Sequence, residues 1–486
     1  VNNGIFVWTP ASFWYSVSSQ RCYMDFTERS LLMLEKIFGG PVPDGYLFSN
    51  QDIKKLILPL IFEQFLAILV GLLDSIMVSY AGEAAVSGVS LVDCVFILII
   101  QTFAALAAGG AVVAGQYLGM QDRKNGCRAV NQLIIFIVIS GVCVTGLVYL
   151  CRNFMLDTVF GRITCDVRSN ADTYLMITAA SIPFIALFNA GAALFRAQGN
   201  SRLPMRVSIG MNVINVIGNA VLVYVFKMGA AGVAIPTLVS RAFAGLVITW
   251  RLTDMDQDLH FARPFRIIIQ KKMLQNILYI GVPNGFESGM FQFGKIILLS
   301  LVSSFGTAAI TANAIGNSIA MFEILPGMAI GLAMVAVVSQ CVGMADFTQV
   351  RYYTKKLMKI TYASVFVSTM CVFALLPLVL KIYSVSAEAS RLAAIIIVIH
   401  GIGSILLWPF SFAFPNTLRA SNDVKFCMVV STVSMFAARV GGGYFCALAL
   451  HMGVVGVWLA MQFDWIARTV FFIFRYRGTK WQTTRL

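Results

Sequence analysis

Residues 54–82 read KKLILPLIFEQFLAILVGLLDSIMVSYAG. The stretch is apolar over a length that crosses a bilayer, yet it carries two carboxylates, Glu63 and Asp74, eleven residues apart. At about 100° per residue this spacing returns to nearly the same helix face, about 16 Å further along the axis. A charged side chain near the bilayer centre costs about 2.5–3.5 kcal/mol even on the lenient insertion scale. Two on one face predict a helix that lines the polar cavity of a transport protein.

The rest of the chain extends the signal. Of 486 residues, 58% are hydrophobic and 12% charged, and the mean hydropathy is +0.81; soluble domains carry about a quarter charged residues. Twelve stretches are apolar enough to span a bilayer: 55–79, 92–117, 129–151, 173–195, 207–226, 231–251, 276–303, 308–341, 357–381, 392–414, 426–449 and 453–474. The second, seventh and eighth are long enough to tilt or to extend past the membrane. The runs are continuous, which excludes the period-two pattern of a β-barrel. The predicted fold is an all-α integral membrane protein with twelve transmembrane helices.

A net charge of +14 would suggest nucleic acid in a soluble protein. Here the distribution gives another reason. With the N-terminus cytoplasmic, the inside segments hold 26 Lys and Arg and the outside loops 6. That asymmetry is the positive-inside rule, so both termini are expected in the cytoplasm and no nucleic-acid partner is expected. The ten cysteines show no C-x-x-C or Cys/His spacing, so neither a zinc site nor a redox motif is expected. Cys151 and Cys165 flank one outside loop and could pair, while most of the cysteines read as small apolar fillers in helices. Residues 1–50 form an N-terminal tail with no basic-then-apolar leader order. The chain begins with Val, with Met24 and Met33 downstream, so no function is assigned to residues 1–32.

Shifting the sequence by 224 residues lays the first span on the seventh without a gap. Pro59 and Glu63 fall on Pro283 and Glu287, both as P-x-x-F-E; Gly82 falls on Gly306; Gln116, Gly119, Met120 and Asp122 fall on Gln340, Gly343, Met344 and Asp346. After a one-residue slip Arg196-Ala197 matches Arg419-Ala420, and later Gly229 and Gly232 match Gly453 and Gly456. Two six-helix bundles follow, residues 51–252 and 276–486, joined by a charged linker at 253–275. Six helices each means both enter the membrane the same way, related by a pseudo-twofold axis along the membrane normal, with substrate between them near mid-membrane. The run AALAAGGAVVAG at 104–115 predicts close backbone packing by the second span.

Ionisable groups within spans are functional candidates by default. Glu63 and Glu287 are repeat mates at one depth. They either give the central cleft a negative field suited to organic cations, or each bonds a neighbouring helix of its own bundle. Lys295, eight residues after Glu287, would weaken that field or pair with an acid such as Glu323. Met290 and Phe291 supply a greasy wall beside them. Asp74 has no acidic mate, because its repeat position is Leu298, so it suits a task belonging to one half only, such as holding a coupling ion. Asp93 with its mate Asn317, and Arg439, read as hydrogen-bonding groups between helices, and His400 and His451 as structural. No constellation for intramembrane catalysis is present, so the protein is not expected to be an enzyme.

The runs PLIFEQ…GLLDSIMV, SYAGEAAVSGVSLVD, GQYLGMQD, LFRAQGNSRLPM, GAAGVAIPTLVSR and IGVPNGFESGMFQFGKI resemble the multidrug and toxic compound extrusion (MATE) family, in a bacterial type, over about residues 51–475. The resemblance implies two six-helix lobes in a V, exporting amphipathic and often cationic compounds in exchange for sodium ions or protons. It implies a plasma-membrane protein without cofactor, acting as a monomer. The family's cation site centres on a first-span aspartate in a D-[ST]-x-M context, which matches Asp74-Ser75-Ile76-Met77. The partner positions read here as Asn189, Asn215, Asn219 and Thr237. Asn219 stands where many relatives carry a second aspartate, which removes one titratable group. One carboxylate with amide and hydroxyl oxygens still makes a hard shell for sodium. The acids that another branch carries on the seventh and tenth spans are missing: the seventh-span position is Phe291, and 392–414 holds no acid. The alternative function is a flippase or exporter of a lipid-linked or other endogenous metabolite within the wider superfamily, whose cavity would be basic.

Overall fold

The computed structural model describes residues 42–161, 163–262, 269–383 and 385–483. The tail up to residue 41, and Arg263 and Arg266 of the linker, lie outside the described residues. Tyr46–Leu486 form a compact unit, which carries the membrane body.

Helices make up that body, with no strand among the described residues. They are α1 Asn50–Ser79, α2 Glu83–Gly119, α3 Arg123–Leu150, α4 Cys165–Ala179, α5 Ile182–Ala197, α6 Arg202–Ala220, α7 Gly229–Arg251, α8 Lys271–Ser303, α9 Thr307–Gly343, α10 Phe347–Tyr383, α11 Ala387–Leu406, α12 Pro415–Ala420, α13 Val424–Ser434 and α14 Gly453–Arg477. Ten stretches are long and apolar enough to span alone, and α4 with α5, bent by 48°, make an eleventh. The remaining span is α8. Its middle holds Asn284, Glu287, Gln292 and Lys295, which keeps its average apolarity below that of the others. Eleven of the twelve predicted spans thus meet that test among the described residues, and α8 stands where the sequence places the seventh.

The breaks have local causes. Pro183 lies in the first turn of α5, where its missing N–H costs nothing, while the bend before it separates α4 from α5. The ninth span is longer than expected, because α10 begins at Phe347 behind Asp346, whose carboxylate accepts from the backbone N–H of Gln349 at 3.0 Å. Asp122, its repeat mate, does the same for Asn125 N–H at 3.1 Å and starts α3. Ser49 and Asp52 form a reciprocal capping box at the start of α1. Cys151 and Cys165 are both free thiols.

The backbone repeats with the sequence. Gln121 and Ala345 are left-handed at φ 59° and 57°, and Lys227 and His451 at 52° and 53°, each pair 224 residues apart. Gly82 and Gly306, at φ 97° and 90° with extended ψ, occupy a region open essentially to glycine. The fifth span ends in a π-wound turn, Val221–Val225, and its mate Phe445–Ala449 is wound the same way. A second π-wound segment, Met435–Gly441, has no counterpart and takes up the one-residue slip in the repeat.

The two lobes meet along α2 and α8. A Cβ on Gly109 would lie 2.6 Å from the Gly281 nitrogen, so the small residues predicted to pack closely bring two backbones together. At the end that carries the N-terminus of α1, paired contacts seal the lobes to each other. Gln116 Nε2 donates to the Ala420 carbonyl at 2.9 Å and to Asn422 Oδ1 at 3.0 Å. Its mate Gln340 donates to the Ala197 carbonyl, the mate of Ala420, at 2.6 Å. A Cβ on Gly119 would lie 1.9 Å from the Gln340 carbonyl oxygen, and one on Gly343 2.0 Å from that of Gln116.

Candidate functional site

Asp74 lies on the last third of α1, far from the sealed end. Asn219 Nδ2 donates to Asp74 Oδ1 at 2.8 Å and to Asn215 Oδ1 at 3.3 Å. Asn215 Nδ2 in turn donates to Thr237 Oγ1 at 3.2 Å, and the Thr237 hydroxyl donates to the Val233 carbonyl at 2.8 Å. Asn215 and Asn219 are four apart on α6 and so share a face. Both are buried, Asn219 completely, and its Oδ1 has no donor. A buried oxygen without a partner is costly, and here it lies next to a carboxylate, where a cation would use it. Four of the five predicted residues are thus brought into one hydrogen-bonded chain. Asn189, on α5, is not hydrogen-bonded to that chain, and its Nδ2 is buried without a partner.

Three residues not assigned to this site by sequence surround it. Tyr174 on α4 donates to Asp93 Oδ1 at 3.0 Å. Arg241 on α7 donates to Ser181 Oγ at 2.9 Å and sits in the field of both Asp74 and Asp93. Two carboxylates and one guanidinium thus lie together in this part of the N-terminal lobe. Asp93 and Arg241 are marked in the sequence only as charges within spans, and Tyr174 carries no such mark.

The repeated glutamates are elsewhere. Arg196 pairs with Glu63 at 2.5 Å and Arg419 with Glu287 at 2.6 Å. The arginines are themselves repeat mates, so one buried ion pair is built twice, each inside its own lobe. Both carboxylates are nearly fully buried and neutralised, which is the within-bundle alternative; neither supplies a free negative charge to a cleft.

A cavity of about 470 Å³ opens between α8, α9, α11 and α14 against Cys94 and Ile97 of α2. Of the residues predicted for a substrate cleft, Phe291 and Lys295 line it; Glu63, Glu287 and Met290 do not. Lys295 does not meet Glu323, which is paired with His400 within the C-terminal lobe. No group of three or more His, Cys, Asp or Glu suited to a metal ion occurs among the described residues.

The MatE family model matches residues 59–221 and again residues 283–445, the same stretch twice at an offset of 224. The chain belongs to the MatE family. The family members are transporters and not enzymes, and the chain is a multi-pass membrane protein of that kind. Among curated relatives it is 24% identical to the uncharacterized transporter YisQ of Bacillus subtilis strain 168, over 87% of this chain and 93% of that protein. It is 21% identical to the probable multidrug resistance protein NorM of Thermotoga maritima, over 89% of this chain and 93% of that one. A solved outward-facing multidrug resistance MATE family transporter aligns with TM-score 0.83 at 20% identity, covering 92% of this chain and 98% of that one. That likeness shows the fold. The family match makes this chain a membrane transporter of the MatE family.

Proposed function

We propose that this MATE protein is a secondary-active antiporter of the plasma membrane that exports amphipathic organic compounds in exchange for sodium ions or protons. The observation that carries the reading is the Asp74–Asn219–Asn215–Thr237 chain, with its orphaned Asn219 Oδ1, in the half of the N-terminal lobe remote from the sealed end. Taken as cytoplasmic by the positive-inside rule, the sealed end makes this an outward-facing arrangement. An incoming cation would meet one carboxylate and the amide and hydroxyl oxygens around it, hard donors for a hard ion.

Binding there would draw α1, α6 and α7 together. A change in how α1 sits against the second lobe would then lower affinity for a compound held between the lobes, which is the differential affinity that exchange requires. The protein acts as a monomer in this scheme, since each lobe supplies its own packing. The family's frequent preference for cationic compounds draws no support from Glu63 and Glu287, which are neutralised. The lipid-linked or endogenous-metabolite alternative draws support from one observation, Lys295 in the cavity with no carboxylate within 4.0 Å among the described residues.

Dye efflux from proteoliposomes under an imposed sodium gradient at clamped pH, then under a pH gradient without sodium, tests the reading. Asp74→Asn is expected to reach the membrane at normal levels and to lose ion-driven export. Normal coupled export by that variant would refute the assignment.

A further inference from the structure

The cavity in the C-terminal lobe stands where the repeat puts the counterpart of the Asp74 site. Leu298 replaces Asp74, Phe412 replaces Asn189, Arg439 falls in register with Asn215, and Met461 replaces Thr237; all four line the cavity. The Asn219 counterpart is Gly443, where a Cβ would lie 2.9 Å from Leu298 Cδ2. The contact between Asn219 and Asp74 thus survives as a contact between their mates, stripped of polarity. Arg439 is carried on the π-wound segment that has no counterpart in the first lobe. Extra residues wound into a helix in this way recur at functional sites.

The charge has changed sign. Asp464 is taken by Arg468, whose Nε lies 2.8 Å away and which also bonds Ser434 and the Ser431 carbonyl. Arg439 approaches the same carboxylate only at 3.8 Å, donates to Met461 Sδ, and keeps its Nε buried without a partner. Lys295, in the field of Arg439, has no carboxylate within 4.0 Å among the described residues. Lys295 and Arg439 thus line the cavity beside the Arg468–Asp464 pair, with His400 on the far wall and Glu323 bonded behind it. Basic groups inside a membrane without a close carboxylate of their own are expensive unless something neutralises them. The walls are aromatic: the Arg439 guanidinium lies over Phe291 at 5.3 Å and that of Arg468 over Phe412 at 5.1 Å. The volume suits a drug-sized ligand.

We propose that this cavity binds an amphipathic organic anion, its acid group between Lys295 and Arg439 and its apolar body against Phe291 and Phe412. The proposal rests on the antiporter reading for its consequence, that such an anion is the exported compound. It gives the two lobes opposite tasks at equivalent positions, a cation in the first and an anion in the second. A membrane potential negative inside would drive both movements, because a cation entering and an anion leaving carry charge the same way.

The test uses the full chain in nanodiscs with two probes of one shape, 1-pyrenesulfonate and 1-pyrenemethylammonium, read by energy transfer from tryptophan, of which Trp408, Trp458 and Trp465 line the cavity. The sulfonate is expected to bind at least tenfold more tightly than the ammonium. Lys295→Met is expected to reduce that preference and Lys295→Glu to reverse it. Equal binding of the two probes, or a preference insensitive to both Lys295 variants, overturns the proposal. Transport separates it from the antiporter reading. Ion-driven movement of the ammonium alone overturns the anion site and spares the antiporter; selective binding of the sulfonate with no ion-driven movement of either probe supports the site and overturns the antiporter.

Discussion

Asn219 donates its amide to Asp74 at 2.8 Å while its own carbonyl oxygen stays buried with no donor. The residue therefore holds the carboxylate in place and offers an oxygen to whatever cation arrives. Asn219→Asp would put a second carboxylate against the first, and two acids that close cannot both ionise easily. Export by this variant is expected to depend more steeply on pH than that of the native protein. Initial efflux rates across a pH series at fixed sodium check it; parallel profiles would count against Asn219 as part of the ion site.

Glu63 and Arg196 form a buried pair inside the first lobe. Removing one partner of such a pair leaves the other charged and alone, at a cost of about 3–5 kcal/mol. Glu63→Gln and Arg196→Met are each expected to lower the unfolding temperature in detergent, with Glu287→Gln and Arg419→Met doing the same in the second lobe. What transport survives in Glu287→Gln should fall equally for cationic and neutral dyes. A loss confined to cationic dyes would return Glu287 to the substrate path.

Gly119 and Gly343 set how closely the sealed end can shut. Backbone atoms stand under 3 Å from where either Cβ would be, and packed backbone does not yield. Gly119→Ala is expected to part the lobes there and slow export. Spin labels at the exposed Lys124 and Lys355 should report a shift to longer distances, and an unchanged distribution would mean the seal is made elsewhere.

Asp157, in the connection after α3, which is π-wound over Met155–Val159, is held below the ordinary carboxylate range by the Arg168 guanidinium, bonded at 2.8 and 3.1 Å. With its folded value depressed, the pair's contribution to stability is present above the unfolded value of about 3.8 and is lost as pH falls through the folded value. Both partners are exposed and screened. Asp157→Asn should leave the unfolding temperature at neutral pH unchanged and flatten only its acid-side dependence. A drop at neutral pH would show that the pair orders the loop.

Period, hydropathy and repeat were legible because each is written along the chain: the twelve spans, the 224-residue offset, and Asp74 as the acid without a mate. Partners 133 residues away in sequence were not. Glu63 was visible as a buried charge, but the rotation that points it at Arg196 depends on how α1 packs against α5. The clue was that Arg196 repeats as Arg419 alongside Glu63 as Glu287, two matched charges at nearly one offset. The Asp93–Tyr174–Arg241 cluster needs three helices to converge, and residue spacing within one helix says nothing of that. The inverted polarity of the second lobe was half legible, since Lys295 stood out, while the placement of Arg439 depends on a π-wound segment that a regular helical reading passes over.

The duplicated ion pair bears on how such a protein arises. Each six-helix unit neutralises its own buried carboxylate with its own arginine, so it owes nothing electrostatic to a partner. A single unit of this kind would be a self-sufficient polypeptide, free to assemble with a copy of itself. One unit can carry Leu298 where the other carries Asp74 without disturbing the pair that holds it together. The charge that keeps each unit whole and the charge that gives it work lie on different residues, and that separation let the halves diverge in task without losing their common fold.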